Sequence, residues 1–302
     1  MAADTIVTGS KLTAIANAIR AKTGGSAALT LDQMPGEIGS IRGGTLSSLG
    51  RAVLTRQYAG SFTSFALSAS DFGASDGSNV YLRDYAFADV GGGSNCKCNV
   101  RSVEVPRWIE HIGRYAFNGC LIEDITFQGD TTDPRLVPEM YAFSGISPSR
   151  FVCNRLLVPV QYMVGGTNLQ YLELTAAVKR TSESRVYFDT STFQNMTSLQ
   201  TVVFHHRSQY NGVSNGSNIQ FNGDAFTSYT KNVTKVVLDT DALVPVYSAT
   251  VAFPFRNFTA ATVYVTDSLL ADYQNDANWT ASLAAWPNVT LDAMSNYVAP
   301  SA

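Results

Sequence analysis

The sequence predicts a mainly β chain with short helices, in which a solenoid of stacked repeats follows a small N-terminal α-helical anchor. Three observations predict it. A phenylalanine recurs along residues 78–265 at gaps mostly near about 30 residues, within the range of solenoid repeats. Each copy is followed by a short run of alternating or β-branched apolar residues that reads as a strand. Residues 10–42, by contrast, place apolar residues at helical spacing and stand apart from everything after them.

Residues 1–42 form the expected anchor. "SKLTAIANAIRAKTGG" reads as a short amphipathic helix. Ser10 suits the N-cap, Leu12, Ile15, Ala16 and Ile19 share a face, and Gly24-Gly25 ends it. "LTLDQMPGEIGSI" reads as a second short helix or turn carrying Leu31, Met34, Ile38 and Ile41, with Pro35 near its start, where a missing N–H costs least. Two helices this short bury too little apolar surface to stand alone. Leu12, Ile15, Ile19, Leu31, Met34 and Ile38 are therefore expected to form a docking face for another subunit or a neighbouring protein.

Residues 43–77 read as a linker and first strands. "RGGTLSSLG" has linker composition, and "RAVLTRQYAGSFTSFALSASDFG" holds one or two short alternating segments. The array then occupies residues 78–265. Phe87 lies in "VYLRDYAFADV" and precedes "VRSVEVP". Phe117 lies in "IEHIGRYAFNGC" and precedes "IEDITF". Phe143 in "VPEMYAFSGI" precedes "RLLVPV", and Phe193 in "VYFDTSTFQNM" precedes "LQTVVF". Phe226 in "IQFNGDAFTSY" precedes "VTKVVL", and Phe258 in "VAFPFRNF" precedes "ATVYV". In four copies the phenylalanine follows an alanine. The longer gap from Phe143 to Phe193 holds either an insertion or a degenerate repeat. No single unit can bury its apolar face, whereas stacked units set strand beside strand and ring beside ring in one continuous core. Each buried ring then contributes roughly 2–3 kcal/mol by area. The competing reading is a β-sandwich with evenly spaced strands. Residues 266–302 read as a C-terminal cap, with a short helix over Ser268–Tyr273 and Trp279 covering the last repeat.

At these residues the chain resembles the BspA-type leucine-rich repeat family, whose pattern is approximately I-G-x-x-A-F-x-x-C followed by an apolar strand. "HIGRYAFNGCLIEDITF" is a close match, "YLRDYAFADV" and "EMYAFSGI" are partial, and "DTSTFQNMTSLQTVVF" keeps the phenylalanine and strand but loses Ile-Gly. The C-terminal "VYVTDSLLADYQNDANWTA" is similar to the closing segment of such arrays. The string "LTAIANAIRAKTG…LTLDQMPGEI" resembles a small module at the start of tail and other virion proteins of bacteriophages and prophages, and it covers about a tenth of the chain. Together these resemblances imply a phage virion protein of the tail-fibre or baseplate type. Residues 1–42 would join other tail or baseplate proteins, and the repeats would touch a host-surface protein or polysaccharide. The chain would be a homo-oligomer, a trimer by analogy with tail fibres. A head fibre or decoration protein and a bacterial leucine-rich-repeat surface adhesin are the alternatives.

Composition and motifs agree with a binding role. The 302 residues carry a net charge of −3 and no polybasic footprint, which disfavours nucleic acid. No apolar run approaches the roughly 20 residues of a spanning helix, so no membrane insertion is expected. "MAADTIVTGSKLTAIANAIR" has no basic n-region before an apolar h-region, so the expected location is a virion tail assembled in the host bacterial cytoplasm. Cys96 and Cys98 in "CKC" are too close for a zinc pair, and Cys120 and Cys153 read as small apolar core residues. His111, His205 and His206 have no oriented partner visible in sequence. "GGTLSSLG" and "VGGGSN" lack the lysine and following Ser/Thr of a phosphate loop. Glu123 and Asp124, as strand neighbours, point to opposite faces. No DxDxDG-type calcium loop is present, and "NMT", "NVT", "NFT" and "NWT" match a glycan-acceptor pattern without a secretory context. No catalytic residue, metal or cofactor is therefore expected. Tyr162, Tyr171, Tyr187, Tyr210 and Tyr247 are candidate contact residues, with core or inter-repeat packing as the competing reading.

Overall fold

The structure, a computed structural model, describes residues 65–72, 81–82, 84–87, 100–120, 122–179, 183–247 and 253–300. The expected N-terminal helices with their docking face, most of the linker, and Cys96 and Cys98 lie outside the described residues. The chain divides into two compact units, Met1–Ser64 with Ser70–Ala74, and Phe65–Ala69 with Ser75–Ala302.

The second unit is mainly β, with two short α-helices among its described residues. Strands β1 (Phe65–Leu67), β2 (Val100–Val105) and β3 (Asp124–Phe127) form one sheet, parallel and in chain order. Strands β4 (Arg150–Leu157), β5 (Tyr171–Ala176), β6 (Thr201–His206), β7 (Lys235–Thr240), β8 (Ala261–Val265) and β9 (Val289–Ala293) form a second sheet, again parallel and in chain order. Parallel pairing excludes the antiparallel sandwich. Shorter parallel ladders follow the same order: Tyr81–Leu82 with His111–Ile112 and Val137–Pro138, then Phe143–Ser144 with Val164–Gly165, then Val186–Phe188 with Ile219–Phe221. These short strands fall between the long ones as far as Ile219–Phe221, two of them between β3 and β4, and among the described residues none falls between β7, β8 and β9. The hairpin Gln209–Tyr210/Val213–Ser214 departs from this, and its Asn211-Gly212 turn takes positive φ at both residues.

Alternation decides which residues enter the core. Leu172 and Leu174, Val202 and Phe204, Val236 and Leu238, and Val263 and Val265 are buried on one face. Phe143 meets Phe151 of β4, and Phe193 and Phe226 meet Phe204 of β6, on the buried side of this sheet. Phe87, Phe117, Phe143, Phe193, Phe226 and Phe258 are all buried. Phe87 stacks on Phe117 at 5.0 Å and Phe117 on Phe143 at 5.6 Å; Phe193 stacks on Phe226 at 4.6 Å, and Phe226 meets Phe258 edge-on at 5.2 Å. The backbone keeps the same step. The N–H of Phe87, Phe117 and Phe193 donates to the carbonyl of Ala116, Ala142 and Ala225 respectively.

The long gap between Phe143 and Phe193 holds a segment paired in parallel with the Phe143 strand. Tyr162-Met163-Val164 occupies the place of Tyr-Ala-Phe, Val164 is the partner of Phe143, and Met163 accepts from the Phe143 N–H. A larger Met offsets a smaller Val, and both are fully buried. The chain that follows passes so close to its neighbour that a Cβ on Gly166 would lie 2.1 Å from the Ile146 carbonyl oxygen.

At the C-terminal end, Asp267–Leu269 forms a 3₁₀ turn, followed by α1 (Leu270–Asn275) and α2 (Ala277–Ala285). Asp276 caps α2 by accepting from the N–H groups of Asn278 and Trp279. Trp279 is fully buried against Phe253, Phe255 and Tyr273, and its Nε1 donates to the Val244 carbonyl at 2.8 Å. The second helix and the ladder strand β9 were not anticipated within residues 266–302, nor was burial of Phe253 and Phe255 beside Phe258.

Candidate binding surface

The outer face of the larger sheet is the first place to look for chemistry. Its residues alternate with the core set: Tyr171 and Glu173 on β5, Val203 and His205 on β6, Lys235, Val237 and Asp239 on β7, Tyr264 on β8. The C-terminal segment of the chain lies across part of this face. Met294 and Tyr297 pack on Tyr171, Val203 and Val237, Tyr297 meets Tyr264 at 5.4 Å, and Lys235 Nζ donates to the Val298 carbonyl at 3.1 Å.

Beside that segment His205 is held between two carboxylates. Its Nδ1 is 2.7 Å from Asp239 and its Nε2 is 3.0 Å from Glu173, while Arg207 Nη2 bonds the other Asp239 oxygen at 2.7 Å. Burial disfavours the imidazolium, but the hydrogen bonds to Asp239 and Glu173 outweigh it and hold the pKa up at about 9. The same bonds from His205 hold both carboxyls below their ordinary range. With both nitrogens engaged, the ring retains its proton at neutral pH and acts as a cross-strand tie. Its folded pKa exceeds the unfolded value, so its stabilisation is whole below pH 6.5 and is lost as pH rises through about 9. The carboxyls contribute in the opposite sense, losing their part as pH falls through their depressed values. Discounted for partial exposure, stability measured by urea denaturation is expected to fall by roughly 1–2 kcal/mol from pH 6.5 to 9. His205→Gln should abolish that fall; an unchanged pH slope in the variant would remove His205 as its source.

His206 points the other way. It is fully buried, its Nδ1 lies 3.3 Å from the Ala176 carbonyl and 3.3 Å from Asn215 Nδ2, and burial depresses its pKa. His111 lies on a short strand with its ring 5.9 Å from Tyr81. Glu123 is salt-bridged to Arg101 at 2.8 Å. Cys120 and Cys153 are buried free thiols, and burial pushes the Cys153 pKa up to about 12. Among the described residues, no group of three or more His, Cys, Asp or Glu could hold a metal ion, and no helix is long and apolar enough to cross a membrane.

A second surface is a tyrosine ladder. Tyr85, Tyr115, Tyr141 and Tyr162 all adopt left-handed backbone, with φ of 56°, 58°, 63° and 53°. Their rings stack at 5.0, 4.7 and 4.7 Å, close to the spacing between paired strands. Left-handed backbone costs about 1–2 kcal/mol at a non-glycine residue, and each aromatic pair returns about 0.5–1.5 kcal/mol. Stacking occupies the inner faces, so the ladder presents ring edges and hydroxyls.

The third surface is an open cleft of about 580 Å³ where the turn after β5 meets the strand Val186–Phe188. Val158, Ala177 and Val178 form an apolar floor, and Lys179, Arg185, Tyr187 and Gln220 form a polar rim. Arg185 Nη1 bonds Gln220 Oε1 and, at 3.1 Å, the Tyr247 hydroxyl. Tyr187 and Tyr247 are among the most exposed large side chains described. Of the candidate tyrosines, the structure therefore places Tyr187 in the cleft, sets the Tyr247 hydroxyl against the cleft's Arg185 and places Tyr162 in the ladder. It buries Tyr171, which donates to Glu173 at 2.6 Å, and leaves Tyr210 half-buried on the hairpin. No protein-family model and no curated protein matches the chain.

Proposed function

We propose that this chain is a non-enzymatic bacteriophage virion protein of the tail-fibre or baseplate type, whose BspA-type leucine-rich repeats form a solenoid that contacts the host surface. The observation that carries this reading is one combination: the virion-type N-terminal string of residues 10–38 precedes units whose strands pair in parallel and in chain order. Such stacking offers long faces built from successive units, which suit recognition of an extended partner. The engagement of both His205 nitrogens, together with the burial of His206 and Cys153, favours a binding role over catalysis. Residues 1–42 join other tail or baseplate proteins, and the short apolar helices favour a homo-oligomer, a trimer by analogy. The protein then resides in the virion tail after assembly in the bacterial cytoplasm.

Paired Ile15→Asp and Ile19→Asp substitutions in the full chain test this. They are expected to leave the melting transition of the repeats intact and to remove the protein from purified particles. Undiminished incorporation would overturn the docking role of residues 1–42. Immunogold labelling of intact particles separates a tail from a head position, and finding the native protein in no particle would overturn the virion reading.

A further inference from the structure

We propose that the Arg185 cleft binds an anionic saccharide, a sugar bearing a carboxylate or a phosphate; the inference rests on the host-attachment reading and gives it a site. The guanidinium carries the argument. Its Nη1 is held by Gln220 and by the Tyr247 hydroxyl, while no hydrogen bond involves Nε or Nη2 among the described residues. A guanidinium fixed in this way presents its two-donor edge, the geometry that receives a carboxylate or phosphate in paired hydrogen bonds. Lys179 adds a second cation on the same rim. Glu183 also lines the cleft; one of its oxygens accepts the Lys179 backbone N–H at 2.9 Å, and its charge offsets that of Lys179, so Arg185 supplies the net positive charge.

Size and lining favour a saccharide. The opening of about 580 Å³ falls within the range of small-ligand sites. An apolar floor of Val158 and Val178 beside exposed Tyr187 suits the C–H faces of a pyranose ring, and the polar rim suits its hydroxyls. The parts come from four successive units. Val158 follows β4, Val178 and Lys179 follow β5, and Arg185, Tyr187 and Gln220 sit on or beside the short ladder Val186–Phe188/Ile219–Phe221. The cleft is thus a product of stacking, absent from any one unit.

The test titrates the full-length protein calorimetrically with tetragalacturonate, with glucose 6-phosphate, with maltotetraose as the neutral control and with tetraglutamate as the acidic peptide. At least one anionic saccharide is expected to bind, more weakly at high salt, and its identity separates carboxylate from phosphate recognition. Arg185→Gln, at an exposed position, should weaken that binding about tenfold or more with an unchanged melting temperature. Tyr187→Ala should weaken it as well. The proposal is overturned if neither anionic saccharide binds, if maltotetraose binds equally, if tetraglutamate alone binds, or if Arg185→Gln binds as tightly as wild type. Particle incorporation is read in parallel. Incorporation without saccharide binding fails the cleft alone, and saccharide binding by a chain absent from particles fails the virion reading alone.

Discussion

Phe226→Ala is expected to lower the unfolding free energy by about 3–5 kcal/mol. Phe226 is fully buried, and its ring meets Phe193 at 4.6 Å, Phe258 at 5.2 Å, Phe255 at 5.9 Å, Phe221 at 6.0 Å and Phe204 at 6.4 Å. These partners come from both neighbouring units and from both ladders, so no single element can collapse to fill the space. Truncation therefore loses transfer energy and leaves a cavity bounded by rings held on separate strands. Phe226→Leu keeps most of the volume and should cost well under half as much. Tyr229→Ala, three residues away but more than half exposed, should stay within about 0.5 kcal/mol of wild type. Urea denaturation of the three variants checks the ordering. A Phe226→Ala midpoint indistinguishable from that of Tyr229→Ala would show that the ring column does not bear the fold.

The mainly β character was legible in the sequence because each strand announces itself by β-branched and alternating residues: "VRSVEVP" lies over β2, "VTKVVL" over β7 and "ATVYV" over β8. Where that signal fades, the reading fades too. The strand expected in "RLLVPV" begins earlier, at Arg150, because "RFVCN" alternates only weakly. The Tyr162-Met163-Val164 unit was hidden because backbone register, not residue identity, defines the position Phe143 shares with Val164. The partners of His205 were invisible for a related reason. Glu173 and Asp239 lie 32 and 34 residues away, and only aligning "YLELTA", "TVVFHH" and "KVVLDT" strand on strand sets the three side by side. The cleft depends on which turns converge, and no local pattern encodes that. Tyr187 drew notice in sequence while Arg185 did not.

Arg155→Met is the second large effect, expected at about 2–3 kcal/mol. Arg155 has no exposed surface, an extreme position for a cation. The pairing of β4 with β5 explains how it arrives there: Cys153 is opposite Leu174 and Leu156 is opposite Thr175, so Asn154 and Arg155 form a bulge that turns the arginine inward. The guanidinium then bonds three backbone carbonyls, Pro106 at 3.2 Å, Ile109 at 2.9 Å and Pro134 at 2.8 Å. These belong to the turns that follow β2 and β3, so one side chain ties two preceding units to β4. Methionine fills much of the volume and leaves the Ile109 carbonyl without a donor, at about 1–3 kcal/mol, while the Pro106 carbonyl keeps only the Ile109 N–H. Pro134 is exposed, and its carbonyl can turn to water at less cost. Lysine should not rescue the fold, because a compact ammonium lacks the planar span to reach three separated acceptors and still carries its charge inside. Burial already disfavours the charged form of Arg155, and in Arg155→Lys the same burial would act on a group that can release its proton. The expected order is therefore wild type above Arg155→Met, with Arg155→Lys no more stable than Arg155→Met. The exchange protection of the Ile109 N–H, which donates to Pro106, should fall along with it. Wild-type stability and protection in Arg155→Met would mean that the two turns hold their shape without the arginine.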